Sequence, residues 1–284
     1  MAITVNTNVL SLNAQRNLDI NQASYAKSLE RLSSGLRINR AADDSAGLAI
    51  SERLKAQVRS TGQAQRNTLD GVSLIQTAEG SFNEVGSILT RLRELSVQSA
   101  NDTLGTTDRD AIKTESDALV SEVSRLANVT KFNGVALLSG NSVSAAIAFN
   151  FQVGTGTTSN DTISVSVQNV KASIFGSGAV DLTAFSLTTD TKSIDAITTI
   201  DSAITNLNTA RAALGAAQNR LESSGRSLAV IDENLAAANS RIRDVDVASE
   251  TANLTRSQIL SQAGVSVLSQ ANQAPSLALS LLGR

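Results

Sequence analysis

The segment that decides the fold is residues 200–242, IDSAITNLNTARAALGAAQNRLESSGRSLAVIDENLAAANSRI. Large apolar residues recur in it at every seventh position, namely Ile200, Leu207, Leu214, Leu221, Leu228, Leu235 and Ile242. Three residues after each of these comes a second series of mostly small residues, Ala203, Ala210, Ala217, Ser224, Ile231, Ala238 and Val245. A sustained seven-residue repeat predicts a long helix that packs along a partner helix. The small residues of the second series predict a close approach of that partner.

The N-terminal part of the chain carries a shorter pattern of the same kind. Two adjacent rows of residues recur at intervals of seven. One row is Leu18, Tyr25 and Leu32, and the other is Gln22, Leu29 and Leu36. The pattern predicts a first helix that ends near the small residues Ser33, Ser34 and Gly35.

The C-terminal segment, from Val247 to Arg284, is amphipathic and weakly charged. Its apolar residues include Leu254, Leu260, Leu268, Leu281 and Leu282. A single helix cannot bury such a face by itself, so we expect this segment to be poorly ordered until a partner covers it.

A second long helix is predicted between these two ends. Asp43 is its candidate N-cap, because a short carboxylate accepts hydrogen bonds from the free N–H groups of a first turn. Apolar residues spaced by three and four follow within the helix, at Phe82, Val85, Leu89 and Leu92. The pattern extends to about Asn101, and a helix of that length would measure roughly 80 Å at 1.5 Å per residue.

A turn at residues 101–105 is predicted to lead into a third, shorter helix. Thr107 and Asp110 resemble a capping box at its start, with Asp in place of the usual Glu. The apolar residues Ile112, Leu119, Val123 and Leu126 then follow at helical spacing.

The middle of the chain changes period from that of a helix to that of a strand. Asn133–Gly134 is a strong turn signal, and two alternating runs around residues 147–153 and 163–167 predict an antiparallel hairpin. The segment from Lys171 to Ser193 is rich in Ser, Thr and Gly, so it is predicted to be an irregular surface segment.

Composition excludes several classes of function. The chain of 284 residues has no His and no Cys, which rules out Ser-His-Asp or Cys-His catalysis, His metal sites and zinc fingers. Its 24 basic and 26 acidic residues are well mixed, so neither nucleic acid nor an anionic membrane is an expected partner. We also expect no cleaved signal peptide and no membrane-spanning segment.

Two pairs of acids leave an alternative open. Asp43 with Asp44, and Asp244 with Asp246, are candidate metal or acid–base pairs. Helix capping and surface ion pairs explain them more simply, because no His or third carboxylate supports a site. We therefore expect no cofactor, no metal site and no enzyme activity.

Several blocks of sequence resemble one protein family. The block SSGLRIN at 33–39, followed by ADDSAGLAI at 42–50, closely resembles the N-terminal signature of bacterial flagellins. The block RIRDVD at 241–246 and the run QANQAP at 270–275 resemble the C-terminal signature. The resemblance covers roughly residues 1–140 and 190–284.

The resemblance implies a mostly α fold, a long helical coiled-coil rod with a small β-hairpin, whose N- and C-terminal helices pair. It divides the chain into an N-terminal core helix at 1–42, a rod domain at 43–193 and 194–246, and a C-terminal core helix at 247–284. The terminal leucines would pack the core, and the heptad of 200–242 would pack the rod. This is a short form without large outer domains.

The resemblance also implies function and partners. The protein would be the protomer of the extracellular bacterial flagellar filament, exported by the flagellar type III apparatus, and would self-assemble into a helical tube for swimming. Partners would be other flagellin copies, an export chaperone, the filament cap and the hook–filament junction proteins.

A further resemblance concerns immune recognition. The segment at residues 90–101, TRLRELSVQSAN, matches the part of flagellin that the vertebrate Toll-like receptor for flagellin recognises. Carried over residue by residue, the match assigns receptor contacts to Arg91, Leu95 and Glu115. The alternative is that these residues serve filament packing.

Rival interpretations remain at the level of sequence. A hook–filament junction protein shares flagellin-like ends but would cap rather than form long polymers. A cytoplasmic coiled-coil signalling protein would need neither the hairpin nor the weakly charged ends.

Overall fold

The computed structural model describes residues 7–139, 146–173, 175, 180–183 and 186–282, with side chains up to Gln273. The fold is mostly α, as predicted. Its helices are α1 (Val9–Ser34), α2 (Ser45–Ser99), α3 (Thr106–Val129), α4 (Asp190–Arg243) and α5 (Val247–Leu282). There are two antiparallel hairpins. The shorter one pairs β1 (Lys131–Phe132) with β2 (Val135–Ala136), and the longer one pairs β3 (Ala146–Gln152) with β4 (Thr162–Gln168).

The chain forms two compact units. The terminal unit lies within Met1–Val58 and Glu233–Arg284, and the central unit is Arg59–Asp232. Helices α2 and α4 contribute residues to both units, whereas α1 and α5 belong to the terminal unit and α3 and the strands to the central one.

The heptad of α4 forms the core of the central unit. Large and small members of the repeat are buried together, namely Ile200, Ala203, Leu207, Ala210, Leu214, Leu221 and Leu228. Leu235 and Ile242 are only half-buried, and they lie beyond Asp232, where the central unit ends. The four apolar residues predicted for α2 are fully buried in the same cluster, at Phe82, Val85, Leu89 and Leu92.

Helices α2 and α4 run antiparallel and approach closely in the central unit. A Cβ placed on Gly71 of α2 would lie 3.0 Å from Leu221 of α4 and 3.2 Å from Phe151 of β3. The glycine therefore permits an approach that a larger side chain would block. Further along, Arg93 of α2 donates to Asp201 of α4 at 2.7 Å.

Both hairpins include features that the sequence predicted. Asn133 and Gly134 adopt positive φ angles of 48° and 80°, which is the conformation that two-residue hairpin turns favour. In the longer hairpin Phe149 pairs with Val165. The inward residues of β4 alternate with exposed ones, as a half-buried strand requires.

Two helix caps differ from the sequence prediction. Asp44, not Asp43, caps α2, since its carboxylate accepts from the N–H of Gly47 at 2.8 Å. Helix α3 begins after Gly105, whose N–H donates to Asp108 at 3.2 Å. The predicted box that starts at residue 107 and ends at residue 110 is therefore wrong, because the helix is capped two residues earlier.

The prediction of an irregular surface segment at 171–193 is also wrong in part. Ala172, Phe175, Leu182 and Leu187 are fully buried, and α4 already begins at Asp190. The Ser-, Thr- and Gly-rich composition concealed a few apolar residues that complete the central core.

We predict that Phe82→Ala lowers the free energy of unfolding of the central unit by about 3–5 kcal/mol, because it removes a fully buried ring and leaves a cavity. Val97→Ala on the same helix is the control and should change stability by less than about 0.5 kcal/mol, since Val97 is half exposed. Urea unfolding followed by circular dichroism measures both. Equal losses in the two variants would contradict this assignment of the core.

Candidate assembly interface

The chain ends meet as an antiparallel pair of helices, α1 and α5. Asn8 near the start of α1 donates through Nδ2 to the carbonyl of Ala271 at 2.7 Å. Near the middle, a Cβ on Gly264 would lie 3.2 Å from the Leu18 side chain. At the far end of α1, Arg31 forms an ion pair with Glu250 at 3.6 Å. These contacts set one register between the two helices.

The end of α1 is joined to the end of α4 by backbone hydrogen bonds. Gly35 ends α1 in the left-handed conformation, with φ of 71°, which is a common helix C-terminus. Its carbonyl then accepts from the N–H of Val245 at 3.1 Å, and the N–H of Arg37 donates to the carbonyl of Arg243 at 2.6 Å. The signature blocks SSGLRIN and RIRDVD therefore lie side by side.

Asp43 stabilises the turn between α1 and α2. Its carboxylate lies 2.7 Å from Lys27 and accepts from the N–H groups of Asn39 and Arg40. These partners, Lys27 first, lower the pKa of Asp43 to about 2. In the other pair of acids, Asp246 accepts from the first N–H groups of α5. Each pair thus contains a residue that caps a helix.

The described part of the chain has no group of three His, Cys, Asp or Glu side chains placed to hold a metal ion. Among the described helices, none combines the length and the apolar character that a membrane span requires.

The predicted packing residues of the ends differ in their burial. Leu18 is buried, and five others are half-buried, namely Tyr25, Leu32, Leu36, Leu254 and Leu268. Leu29 and Leu260 are exposed. Leu281 and Leu282 lie outside the side chains that the structure describes. The pairing of α1 with α5 therefore covers only part of the predicted set.

The terminal unit has almost no core of its own. Among its described residues, Leu18 and Ile38 are the only buried large apolar side chains. Eleven others are 40–60% exposed, namely Val9, Leu10, Leu12, Ile20, Leu29, Ile50, Val247, Ile259, Leu260, Val265 and Val267. Exposed apolar surface of this extent marks an interaction site.

Sequence reasoning missed several of these residues. Val9, Leu10, Leu12 and Ile20 fall outside the two heptad rows of α1, and α5 leaves them exposed. Their apolar character was the available signal. The buried Glu250 had no such signal, since its pairing with Arg31 depends on the register of two helices that are distant in sequence.

The structure brings Arg91 and Glu115 together but not Leu95. Arg91 on α2 donates through Nε and Nη2 to Glu115 on α3, at 3.0 and 2.8 Å. Glu115, then Glu94, raises the pKa of Arg91. Leu95 is 1% exposed and belongs to a small buried cluster with Ile112. It therefore lies beneath the surface.

Two family models match the chain. The bacterial flagellin N-terminal helical region matches residues 5–143, and the bacterial flagellin C-terminal helical region matches residues 197–282. The gap between them contains the β3–β4 hairpin and the start of α4.

Whole relatives match over nearly their full length. A flagellin of Halalkalibacterium halodurans is 45% identical over 278 residues, which is 98% of this chain and 99% of that protein. The flagellar filament 30.7 kDa core protein of Treponema maltophilum is 41% identical over 283 residues, again 98% of this chain and 99% of that one.

A solved structure shares the fold. It belongs to a proposed flagellar hook-associated protein of Vibrio parahaemolyticus, with a TM-score of 0.59, 16% identity and coverage of 71% of this chain and all of that chain. At this identity the likeness concerns the fold alone. From its two family models and its full-length relatives, the chain belongs to the bacterial flagellin family, whose members are structural proteins of the extracellular flagellar filament and not enzymes.

Proposed function

We propose that this chain is a filament protomer whose paired α1 and α5 helices are covered by the terminal units of neighbouring copies. The observation that carries the proposal is the set of eleven exposed large apolar side chains, beside only two buried ones, among the described residues of the terminal unit. The names of relatives as flagellins and as a filament core protein support it.

The energetics favour burial between copies. Ordering a helix costs roughly 1–2 kcal/mol per residue in backbone entropy, and a pair of helices that buries so few large side chains offsets little of this. Covering the exposed residues would add roughly 25 cal/mol for each Å² of apolar surface removed from water. The terminal unit therefore gains most of its stability in the polymer. The expectation that α5 orders only on assembly stays a prediction.

A polymer of this kind needs unlike faces that meet. When one face of a copy docks on a different face of the next, the contact does not close and the assembly grows. The division into core helices at 1–42 and 247–284 and rod segments at 43–193 and 194–246 remains part of the proposal. The compact central unit, Arg59–Asp232, falls inside the proposed rod.

Further partners follow from family membership. An export chaperone, the filament cap and the hook–filament junction proteins each need a surface on the monomer or at the end of the polymer. The exposed apolar residues of α5, such as Ile259 and Val265, give such proteins a surface before copies of the chain cover it.

Recognition by a vertebrate Toll-like receptor is a second candidate function. The ion pair of Arg91 with Glu115 supports it, because both side chains are about half exposed and join two helices on one surface. An arginine held by a carboxylate is pre-organised for an interface. Since Leu95 is buried, we propose that it supports this surface from beneath rather than touching a receptor.

Deletion of residues 247–284 should leave the central unit folded and abolish polymerisation, because α1 then loses its partner and the copies lose α5. Monomer is treated with sulfate, which strengthens apolar burial, and examined by electron microscopy and circular dichroism. The full chain should form long tubes with a rise in helicity. Tubes from the shortened chain would contradict the proposal, and closed rings from the full chain would favour a junction protein.

A point substitution tests the apolar surface more sharply. Ile259→Ser should raise the critical concentration for assembly by about tenfold or more, since burial of one isoleucine contributes roughly 1.5–3 kcal/mol. Val129→Ser is the matched control, because Val129 is equally exposed, at 60%, but lies in the central unit. Sedimentation at a series of concentrations measures both variants. If Val129→Ser weakens assembly as much as Ile259→Ser, the terminal surface is not special.

Arg91→Ala should reduce activation of the Toll-like receptor in reporter cells by about tenfold or more, since arginines at protein interfaces are frequent hot spots. Arg93→Ala is the control: Arg93 has a similar exposure and its own ion pair with Asp201, but it points to another side of α2. Potency unchanged by Arg91→Ala, or lowered equally by both variants, would contradict receptor recognition at this surface.

A further inference from the structure

Most charges of the α1–α5 pair already have a partner within the chain. The described side chains of the two helices include seven charged residues. Four of them form ion pairs, Lys27 with Asp43, Glu30 with Arg40, and Arg31 with Glu250, and a fifth, Arg16, donates to the neutral amide of Asn13. The other two, Asp19 on α1 and Arg256 on α5, have no hydrogen bond or ion pair with any described residue.

Arg256 lines a polar groove between α1 and α5 with a volume of about 280 Å³. On the α1 side the groove is lined by Ser24, Lys27, Ser28 and Arg31, and on the α5 side by Glu250, Asn253, Arg256 and Ser257. Lys27 is already paired with Asp43. Because Glu250 already pairs with Arg31, the charge of Arg256 is left uncompensated. Among the described residues the groove therefore offers an unpaired cation together with hydroxyl and amide donors, which suits a single carboxylate.

Asp19 lies on the other side of α1. It precedes Ser28 by nine residues, which is about two and a half turns of helix, and Ser28 is buried where it lines the groove. Asp19 is therefore exposed on the side that faces away from the groove, next to the exposed Ile20. A projecting acid on one side and a cationic groove on the other are the unlike faces that a growing polymer requires.

Burial makes this complementarity obligatory. The exposed apolar residues around Asp19 and Arg256 are those that neighbouring copies would cover. An unpaired charge that loses its water is strongly destabilising, whereas a paired and hydrogen-bonded one is tolerated. Each of these two charges therefore needs an opposite charge from another copy.

We propose that Asp19 of one copy enters the α1–α5 groove of a neighbouring copy and pairs there with Arg256, an inference that rests on the proposed function. A carboxylate and a guanidinium match each other in geometry and form short charge-assisted hydrogen bonds. The contact is heterologous, so every internal copy donates one Asp19 and accepts another. It would fix the stagger of adjacent copies in a surface that is otherwise apolar and weakly specified.

Charge reversal in the full chain tests the pair. Asp19→Arg and Arg256→Asp should each raise the critical concentration for elongation from wild-type seeds by at least about tenfold. An equimolar mixture of the two variants should recover assembly, because the two introduced charges attract each other across one contact while the next contact keeps its natural residues. The double variant should also assemble. Elongation is followed by sedimentation and electron microscopy at low salt, where charges are least screened.

Controls separate the pair from general effects of charge. Arg16→Asp reverses a charge one turn from Asp19, and its mixture with Asp19→Arg should not recover assembly. The idea is overturned if single variants assemble like the wild type, if neither the mixture nor the double variant assembles, or if Arg16→Asp rescues equally. If the wild-type chain elongates but the mixture and the double variant do not, the pairing of Asp19 with Arg256 is overturned and the protomer proposal still holds. A wild-type chain that never elongates overturns both.

Discussion

The structure depends on the fact that its terminal unit is only two helices thick at α1 and α5. Each of these helices can bury only one stripe of side chains against the other. The contacts of Leu18 with Gly264 and of Arg31 with Glu250 lie in that interface. Eleven large apolar side chains described in this unit remain at least 40% exposed to water, and only Leu18 and Ile38 are buried. In the proposed filament, neighbouring copies would cover these side chains.

The central unit solves the same problem within one chain. Helices α2 and α3 and the two hairpins surround the heptad of α4, so Leu207, Leu214 and Leu221 find partners on more than one side. Close approach at Gly71 tightens this packing. Because the chain holds few aromatic residues and no cysteine, the stability of this core rests on many aliphatic contacts. The central unit is therefore stabilised by contacts within one chain, whereas the proposed function assigns the exposed side chains of the terminal unit to contacts between copies.

Hydrogen bonds and ion pairs stabilise the terminal unit, whose apolar core is small. Asp43 closes the turn after α1 through Lys27 and two backbone N–H groups, and Gly35 aligns the end of α1 with Val245. These contacts hold the two flagellin signature blocks side by side. The two signatures therefore form a hydrogen-bonded junction at the adjoining ends of α1 and α5, and the proposed function assigns the exposed apolar residues of those helices to contacts with other copies.

The sequence by itself determined the local structure of this protein. The heptad of 200–242, the alternation around Val165 and the Asn133–Gly134 turn predicted helix, strand and hairpin correctly, because each is a periodicity or a backbone preference that needs no distant partner. Only the tertiary structure decided that Asp44 rather than Asp43 caps α2, that Leu95 is buried, and that Phe175 completes the central core. It also decided which charges stay unpaired, since Arg31 and Glu250 meet only through the packing of helices that lie far apart in the sequence, and such contacts leave no pattern along the chain.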